Sequence, residues 1–187
     1  MLRDNIQKAL APLNLEQVEI GDYAKTGYHL DVTAAPESLP EVAQAMLSLG
    51  CFLESLTCLH YPEHFTLVYH FGNFGELCRT AVHAKVPLDQ EAPTISHIYP
   101  GANWYEREAY DLFGVRFAGH PDLRRILMWD GYPYFPLRKD FPLAGKPSDV
   151  LEVAFTKSAP LEGGPFVTTP GGKDAIEREP RVRTPES

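Results

Sequence analysis

Phe65-Thr66-Leu67-Val68-Tyr69-His70-Phe71, followed by Gly72-Asn73-Phe74-Gly75, decides the fold class. Large apolar residues at 65, 67, 69 and 71 alternate with 66, 68 and 70, which is the period of a strand that buries one face. The glycine-bounded tetrapeptide supplies turn residues, so the run is the first arm of a hairpin. Its second arm is Cys78, Thr80, Val82, Ala84 and Val86 on one face, against Arg79, Ala81, His83 and Lys85 on the other. The same period extends back to Phe52, so strands are predicted from Phe52 to Val86.

Helical spacing flanks this block. Upstream, Leu39, Val42, Ala43, Met46 and Leu47 fall at i, i+3, i+4, i+7 and i+8, with Gly50 as the stop. Ser38-Leu39-Pro40-Glu41 has the S-x-x-E spacing of a capping box. Leu15–Ile20 and Tyr28–Val32 read as strands joined through the turn residues Gly21 to Gly27, a further hairpin. Leu2, Ile6, Ala9 and Leu10 form an apolar stripe that ends before Pro12. Downstream, Asn103 and Glu106 are placed to cap a helix over Trp104–Phe113, with Tyr105, Ala109, Leu112 and Phe113 as its core stripe and Gly114 as its end. The fold class is therefore α+β: a small mixed or antiparallel sheet with flanking helices.

Bulk properties narrow the function. The 187 residues suffice for one core, and 44% hydrophobic with 22% charged residues is the balance of a folded globular protein. Seventeen basic against twenty-five acidic residues give a net charge of −8, which argues against nucleic-acid binding. No apolar run approaches the roughly 20 residues that cross a bilayer, and the N-terminus lacks the apolar stretch of a secretory signal. Cys51, Cys58 and Cys78 include no C-x-x-C pair, so neither a disulfide framework nor a four-thiolate cluster is expected.

Ten of the seventeen prolines and eight of the fourteen glycines lie in residues 114–187, yet Phe117, Leu123, Ile126, Trp129, Tyr132, Phe135 and Leu137 make part of that region too apolar for a solvated linker. Extended, proline-stiffened apolar segments suit a chain lying across another protein. The expected organisation is an α+β domain over 1–114, an extended proline-rich segment over 115–155 that packs on a partner, and a tail over 156–187, flexible or ordered by the partner.

Candidate sites for chemistry are few. His60-Tyr61-Pro62-Glu63-His64 matches H-x-x-E-H, but Pro62 interrupts the helical turn that would bring both imidazoles to one zinc. A stand-alone zinc hydrolase is the enzyme alternative, and a strand end with a turn is the preferred reading. Glu106, Glu108 and Asp111 point in different directions around a helix, and Arg107 and Asp111, at i and i+4, are expected to pair on the solvent side. His120-Pro121-Asp122 with Arg124-Arg125 could clamp an anion, but no glycine-rich phosphate loop accompanies them. Paired arginines beside apolar residues are more often interface anchors.

The run Glu106-Arg107-Glu108-Ala109-Tyr110-Asp111-Leu112-Phe113-Gly114-Val115 resembles the opening of the signature of the respiratory-chain NADH dehydrogenase 30-kDa subunit family. Phe117-Ala118-Gly119-His120-Pro121-Asp122-Leu123-Arg124-Arg125-Ile126-Leu127 resembles its continuation, and Pro136-Leu137-Arg138-Lys139-Asp140-Phe141-Pro142-Leu143 its close. Tyr134-Phe135 stand where that family usually has Gly-His. The resemblance implies a cofactor-free, C-type component of the peripheral arm of a proton-translocating NADH:quinone oxidoreductase. It places FMN and iron–sulfur clusters in partner proteins of the complex, with the D-type component (49-kDa type) and the cluster-bearing B-type and I-type components as neighbours. It also implies peripheral attachment on the cytoplasmic side of the cell inner membrane, with membrane contact only through the complex. Signature or interface candidates are Glu106, Arg107, Glu108, Asp111, Gly119, His120, Pro121, Asp122, Leu123, Arg124, Arg125, Pro136, Leu137, Arg138, Lys139 and Asp140, with no catalytic residue expected among them. A similar component of an energy-converting hydrogenase or a ferredoxin- or F420-linked oxidoreductase is the nearest alternative.

Overall fold

The computed structural model describes residues 2–13, 15–129 and 132–141. They form α1 (Leu2–Leu10), β1 (Leu15–Ile20), α2 (Tyr23–Thr26), β2 (Leu30–Ala34), a 3-10 turn (Pro36–Ser38), α3 (Leu39–Ser48), β3 (Phe52–His60), β4 (His64–Gly72), β5 (Thr80–Pro87), β6 (Glu91–Pro93), α4 (Ala102–Phe113) and β7 (Arg116–Ala118). Five strands make one mixed sheet in the order β1-β2-β5-β4-β3, and β6 and β7 pair separately. The α+β expectation holds.

Two hairpins organise the sheet, and the second of them is the one predicted at Gly72–Gly75. In β3–β4, Tyr61-Pro62-Glu63 turns the chain and Tyr61 N–H donates to the His64 carbonyl at 2.8 Å. In β4–β5, antiparallel pairing runs from His64 opposite Pro87 to Phe71 opposite Thr80. The parallel pairing of β2 with β5 closes the sheet. This register puts Leu30, Val32 and Ala34 of β2, Val82, Ala84 and Val86 of β5, and Phe65, Leu67, Tyr69 and Phe71 of β4 on one face. Ile6 and Leu10 of α1, Val42 and Met46 of α3, and Ala102 and Ala109 of α4 join them in one buried cluster. A core leucine such as Leu67, 0% exposed, typically contributes about 2–3 kcal/mol through burial alone.

Several local expectations need correction. The β1–β2 connection is not a plain turn, because Asp22 accepts from Ala24 N–H and Gly27, at φ 80°, ends the one-turn helix α2. β2 begins at Leu30 rather than Tyr28, at the point where it meets Thr80 of β5. Ser38 makes no capping bond from its side chain: the preceding 3-10 turn already holds it at φ −81°, ψ −8°, whereas a capping hydroxyl needs extended backbone. Leu47 is 42% exposed, outside the stripe that buries Leu39, Val42, Ala43 and Met46. Helix α4 starts at Ala102 after Gly101, with no side-chain cap, which frees Glu106 for a different task.

The chain divides into two compact units, one ending at Met128 and one beginning at Trp129. In the second, Trp129 and Tyr132 rings lie 4.6 Å apart, Tyr132 and Tyr134 meet edge to face, and Tyr134 meets Phe141 at 5.9 Å. The signature residues Pro142 and Leu143, and the tail expected over 156–187, lie outside the described residues.

Candidate functional site

Helix α4 carries the densest set of signature residues, and both of its long sides are covered. Ala102, Glu106, Ala109 and Phe113 recur at i, i+4, i+7 and i+11, which is one face of a helix. Ala102 and Ala109 lie in the core and Phe113 packs against it. Glu106 therefore occupies a core position, and it is 0% exposed. Its Oε1 accepts from Ile95 N–H at 2.9 Å and its Oε2 from the Thr94 hydroxyl. Rather than capping α4, Glu106 anchors the turn that follows β6. A carboxyl at a core position of an amphipathic helix is the sequence signal that marks this role. Thr94 and Ile95, which receive it, carry no such signal.

His120 approaches the same carboxyl from the segment after β7, with Nε2 3.7 Å from Glu106 Oε2 and both side chains shielded from solvent. Asp122 N–H donates to His120 Nδ1 at 3.0 Å, and Nε2 faces the Asn103 carbonyl at 3.3 Å. Those two partners place the ring proton of the neutral imidazole on Nε2. Burial raises the Glu106 pKa to about 7, partly opposed by its bonds to Thr94 and Ile95. Burial, with the Glu106 carboxyl nearby, also pushes the Tyr69 phenol well above its ordinary value, and that hydroxyl has no hydrogen-bond partner among the described residues.

The other side of α4 is closed by residues 122–128 folding back over it. Asp111 Oδ2 accepts from three successive backbone N–H groups, Ile126 at 3.0 Å, Leu127 at 2.6 Å and Met128 at 2.9 Å. Its Oδ1 pairs with Arg125 Nη1 at 2.7 Å, and the same Nη1 donates to the Asp111 carbonyl at 3.0 Å. Burial would raise the Asp111 pKa, but the three amides and the guanidinium outweigh it and hold the carboxyl below its ordinary value. Arg107, 7% exposed, donates through Nε to the Arg124 carbonyl at 3.2 Å, and its guanidinium sits 4.9 Å from the Trp104 ring centre.

The expected Arg107–Asp111 pair on the solvent side is therefore wrong. Both residues are buried, and each is engaged by the returning segment instead of by the other. Their i,i+4 spacing describes an isolated helix, and here the chain itself replaces solvent on that face.

Six signature positions thus converge in the first unit: Glu106, Arg107, Asp111, His120, Arg125 and, through its carbonyl, Arg124. Gly119 turns the chain at φ 79° and Leu123 packs against the core. Glu108 and Pro121 are exposed. Asp122 and Arg124 form an ion pair at 2.9 Å, with their side chains 51% and 72% exposed. In the second unit, Pro136, Leu137, Arg138, Lys139 and Asp140 lie in successive turns, with Leu137 51% exposed and the Arg138 guanidinium 4.9 Å from the Phe135 ring.

His60 ends β3 and His64 opens β4, so the H-x-x-E-H residues sit at a hairpin turn and not on a helix. Among the described residues no three His, Cys, Asp or Glu side chains are grouped to hold a metal.

Residues 32–147 match the family described as respiratory-chain NADH dehydrogenase, 30-kDa subunit. A Parvibaculum lavamentivorans protein, named as the C component of NADH-quinone oxidoreductase, is 38% identical over 139 residues, 70% of this chain and 68% of the relative. A Rhizobium etli protein, named as a second C component of the same oxidoreductase, is 49% identical over 88 residues, 46% of this chain and 47% of that relative. An Aquifex aeolicus protein, named as a combined C/D component, is 50% identical over 95 residues, 49% of this chain and 16% of that longer relative. The match to the Rhizobium protein spans about half of its length. A chain in the structure of an archaeal membrane-bound sulfane sulfur reductase shares the fold, with a TM-score of 0.65 at 23% identity over 75% of this chain and 85% of that one. The family match takes in β3 to β7, most of β2 and the signature segment, and the chain belongs to the respiratory-chain NADH dehydrogenase 30-kDa subunit family.

Proposed function

We propose that this chain is a cofactor-free scaffold in the peripheral arm of a proton-translocating NADH:quinone oxidoreductase. Electrons would pass from NADH through FMN and iron–sulfur clusters held by partner proteins to a quinone, and this chain would keep the quinone-reducing module in shape. The observation that carries the reading is the family match across residues 32–147. The Aquifex relative, one polypeptide named for both the C and the D components, supports the D-type, 49-kDa protein as the direct partner. The B-type and I-type components are the further neighbours we propose.

No helix among the described residues is long and apolar enough to cross a membrane, so attachment would run through the partners, on the cytoplasmic side of the inner membrane. Leu127 in the first unit, and Trp129 and Leu137 in the second, are exposed apolar side chains of the kind that protein contacts cover.

The test is isolation of the tagged chain from membranes in mild detergent. Copurification with the D-type protein and with NADH:quinone reductase activity is expected, and the separated chain should carry no flavin, cluster or stoichiometric metal. Recovery with components of a hydrogenase or another non-NADH oxidoreductase would move the chain to a sister assembly, and a tightly bound cofactor on the separated chain would end the scaffold reading.

A further inference from the structure

Glu106 is the buried acid whose presence the scaffold role leaves unexplained. An apolar residue would fill a core position of α4 at no electrostatic cost, whereas an isolated buried carboxylate is strongly disfavoured. Its titratable neighbour is His120, at 3.7 Å, in the segment that follows β7, and β7 pairs with the β6 strand that leads into the Thr94 turn. From β4 the Tyr69 phenol bears on the carboxyl. From the turn after β6 come the Thr94 and Ser96 hydroxyls, with Thr94 within 2.8 Å of Ser96 Oγ. On α4 itself, Arg107 and Asp111 are turned away toward residues 124–128.

Thr94 has one hydroxyl proton and two acceptors in reach, Glu106 Oε2 and Ser96 Oγ. With a proton on Glu106, the carboxyl donates to Thr94 and Thr94 donates to Ser96, so the Thr94 proton is not contested between two acceptors. Without it, Thr94 serves the carboxylate alone, and a buried negative charge remains. His120, whose Nδ1 already accepts from Asp122 N–H and whose Nε2 faces the Asn103 carbonyl, has no free lone pair for that proton, which therefore stays on Glu106. One proton on Glu106 keeps its carboxyl neutral, and loss of that proton does not.

We propose that Glu106, Thr94 and His120 form a proton-operated latch, in which one proton held on Glu106 keeps the 94–96 turn and the 119–122 loop seated on α4, and loss of that proton loosens both. The loop so controlled leads directly into the signature stretch Leu123–Met128. The latch belongs to this chain's own core and holds whichever partner the exposed surface meets.

The experiment uses the full chain. The Glu106 side-chain carboxyl, followed by carbon-13 NMR, should titrate near pH 7, where an unconstrained glutamate titrates near about 4.3. Glu106→Gln mimics the protonated acid, accepting from Ile95 N–H and donating to Thr94. Between pH 5 and 8 the wild-type folding equilibrium constant should fall relative to that of E106Q by roughly fifty- to a hundred-fold. Exchange of the Ile95 and Asp122 amides should accelerate over the same range in wild type, beyond the intrinsic base-catalysed trend, and not in E106Q. A Glu106 midpoint near the ordinary value overturns the latch, as do identical pH profiles for the two proteins. If E106Q does not fold, the wild-type carboxyl titration and amide exchange decide alone.

Discussion

Asp111 and Glu106 stand five residues apart on one helix and respond to pH in opposite senses. The depressed pKa of Asp111 means that its ionised form is favoured on folding. Its contribution is present above the ordinary carboxylate value of about 3.9 and is lost as pH falls through the folded value. Glu106, raised to about 7, contributes fully below its ordinary value, and the contribution is lost as pH rises through 7. Stability should therefore fall at strongly acid pH through Asp111 and again as pH rises from about 5 through 7 because of Glu106, and Asp111→Asn should flatten the acid limb alone. Asp111→Ala removes the acceptor of three amides and leaves Arg125, with a side chain 14% exposed, without its carboxylate. Breaking a buried pair in this way typically costs about 3–5 kcal/mol. Urea unfolding at pH 7 measures it, and a loss below about 1 kcal/mol would mean that the returning segment is held by other contacts. The sequence made these residues visible as a motif but misplaced them, because i,i+4 arithmetic assumes solvent on any face not turned to the sheet.

Elements were read best where a pattern is long. Helices α1, α3 and α4 and strands β3, β4 and β5 follow apolar periods sustained over eight residues or more, and each appears within a residue or two of its expected position. Helix α2 has four residues, and β6 and β7 have three each, too few for any period to register. The parallel joining of β2 to β5 was equally hidden, since hairpins announce themselves through turn residues and a parallel pairing has none. The end of α4 was legible from one residue. Gly114 sits at φ 79° and donates its N–H to the Tyr110 carbonyl at 2.8 Å, a left-handed cap that a Cβ would strain. Gly114→Ala should lower stability by about 1–2 kcal/mol, the usual cost of left-handed backbone for an L-residue. Thermal unfolding checks this, and an unchanged midpoint would show that the cap tolerates a side chain.

For the whole molecule, composition drew the boundary at Gly114, where prolines and glycines begin to crowd. The first compact unit runs on to Met128, because Asp111 and Arg107 bind the chain of residues 124–128 back onto α4. Composition senses where regular structure stops, but not where hydrogen bonds to an earlier helix continue. This separates two classes of arginine that look alike in sequence. Arg125 is spent inside the fold on Asp111, whereas the Arg124 side chain is 72% exposed and pairs with the exposed Asp122 carboxylate. The Arg138 guanidinium lies over the Phe135 ring within the second unit, which leaves Arg124 and Arg138 as the pair to test against a partner. The exposed Arg124–Asp122 pair contributes at most about 1 kcal/mol and the Arg138–Phe135 contact about 0.5–1 kcal/mol, so the isolated Arg124→Glu, Arg138→Glu double variant should unfold within about 2 kcal/mol of wild type. In cells its content in the assembled complex should fall sharply, with quinone reductase activity falling in proportion. Arg125→Glu is the contrast, since it sets two carboxylates against each other inside the fold and should destabilise the isolated chain itself. Should the double variant assemble fully and lose turnover per complex, these side chains act in the reaction and the scaffold role fails. Should it melt as Arg125→Glu does, both arginines brace the chain's own fold and the interface lies elsewhere.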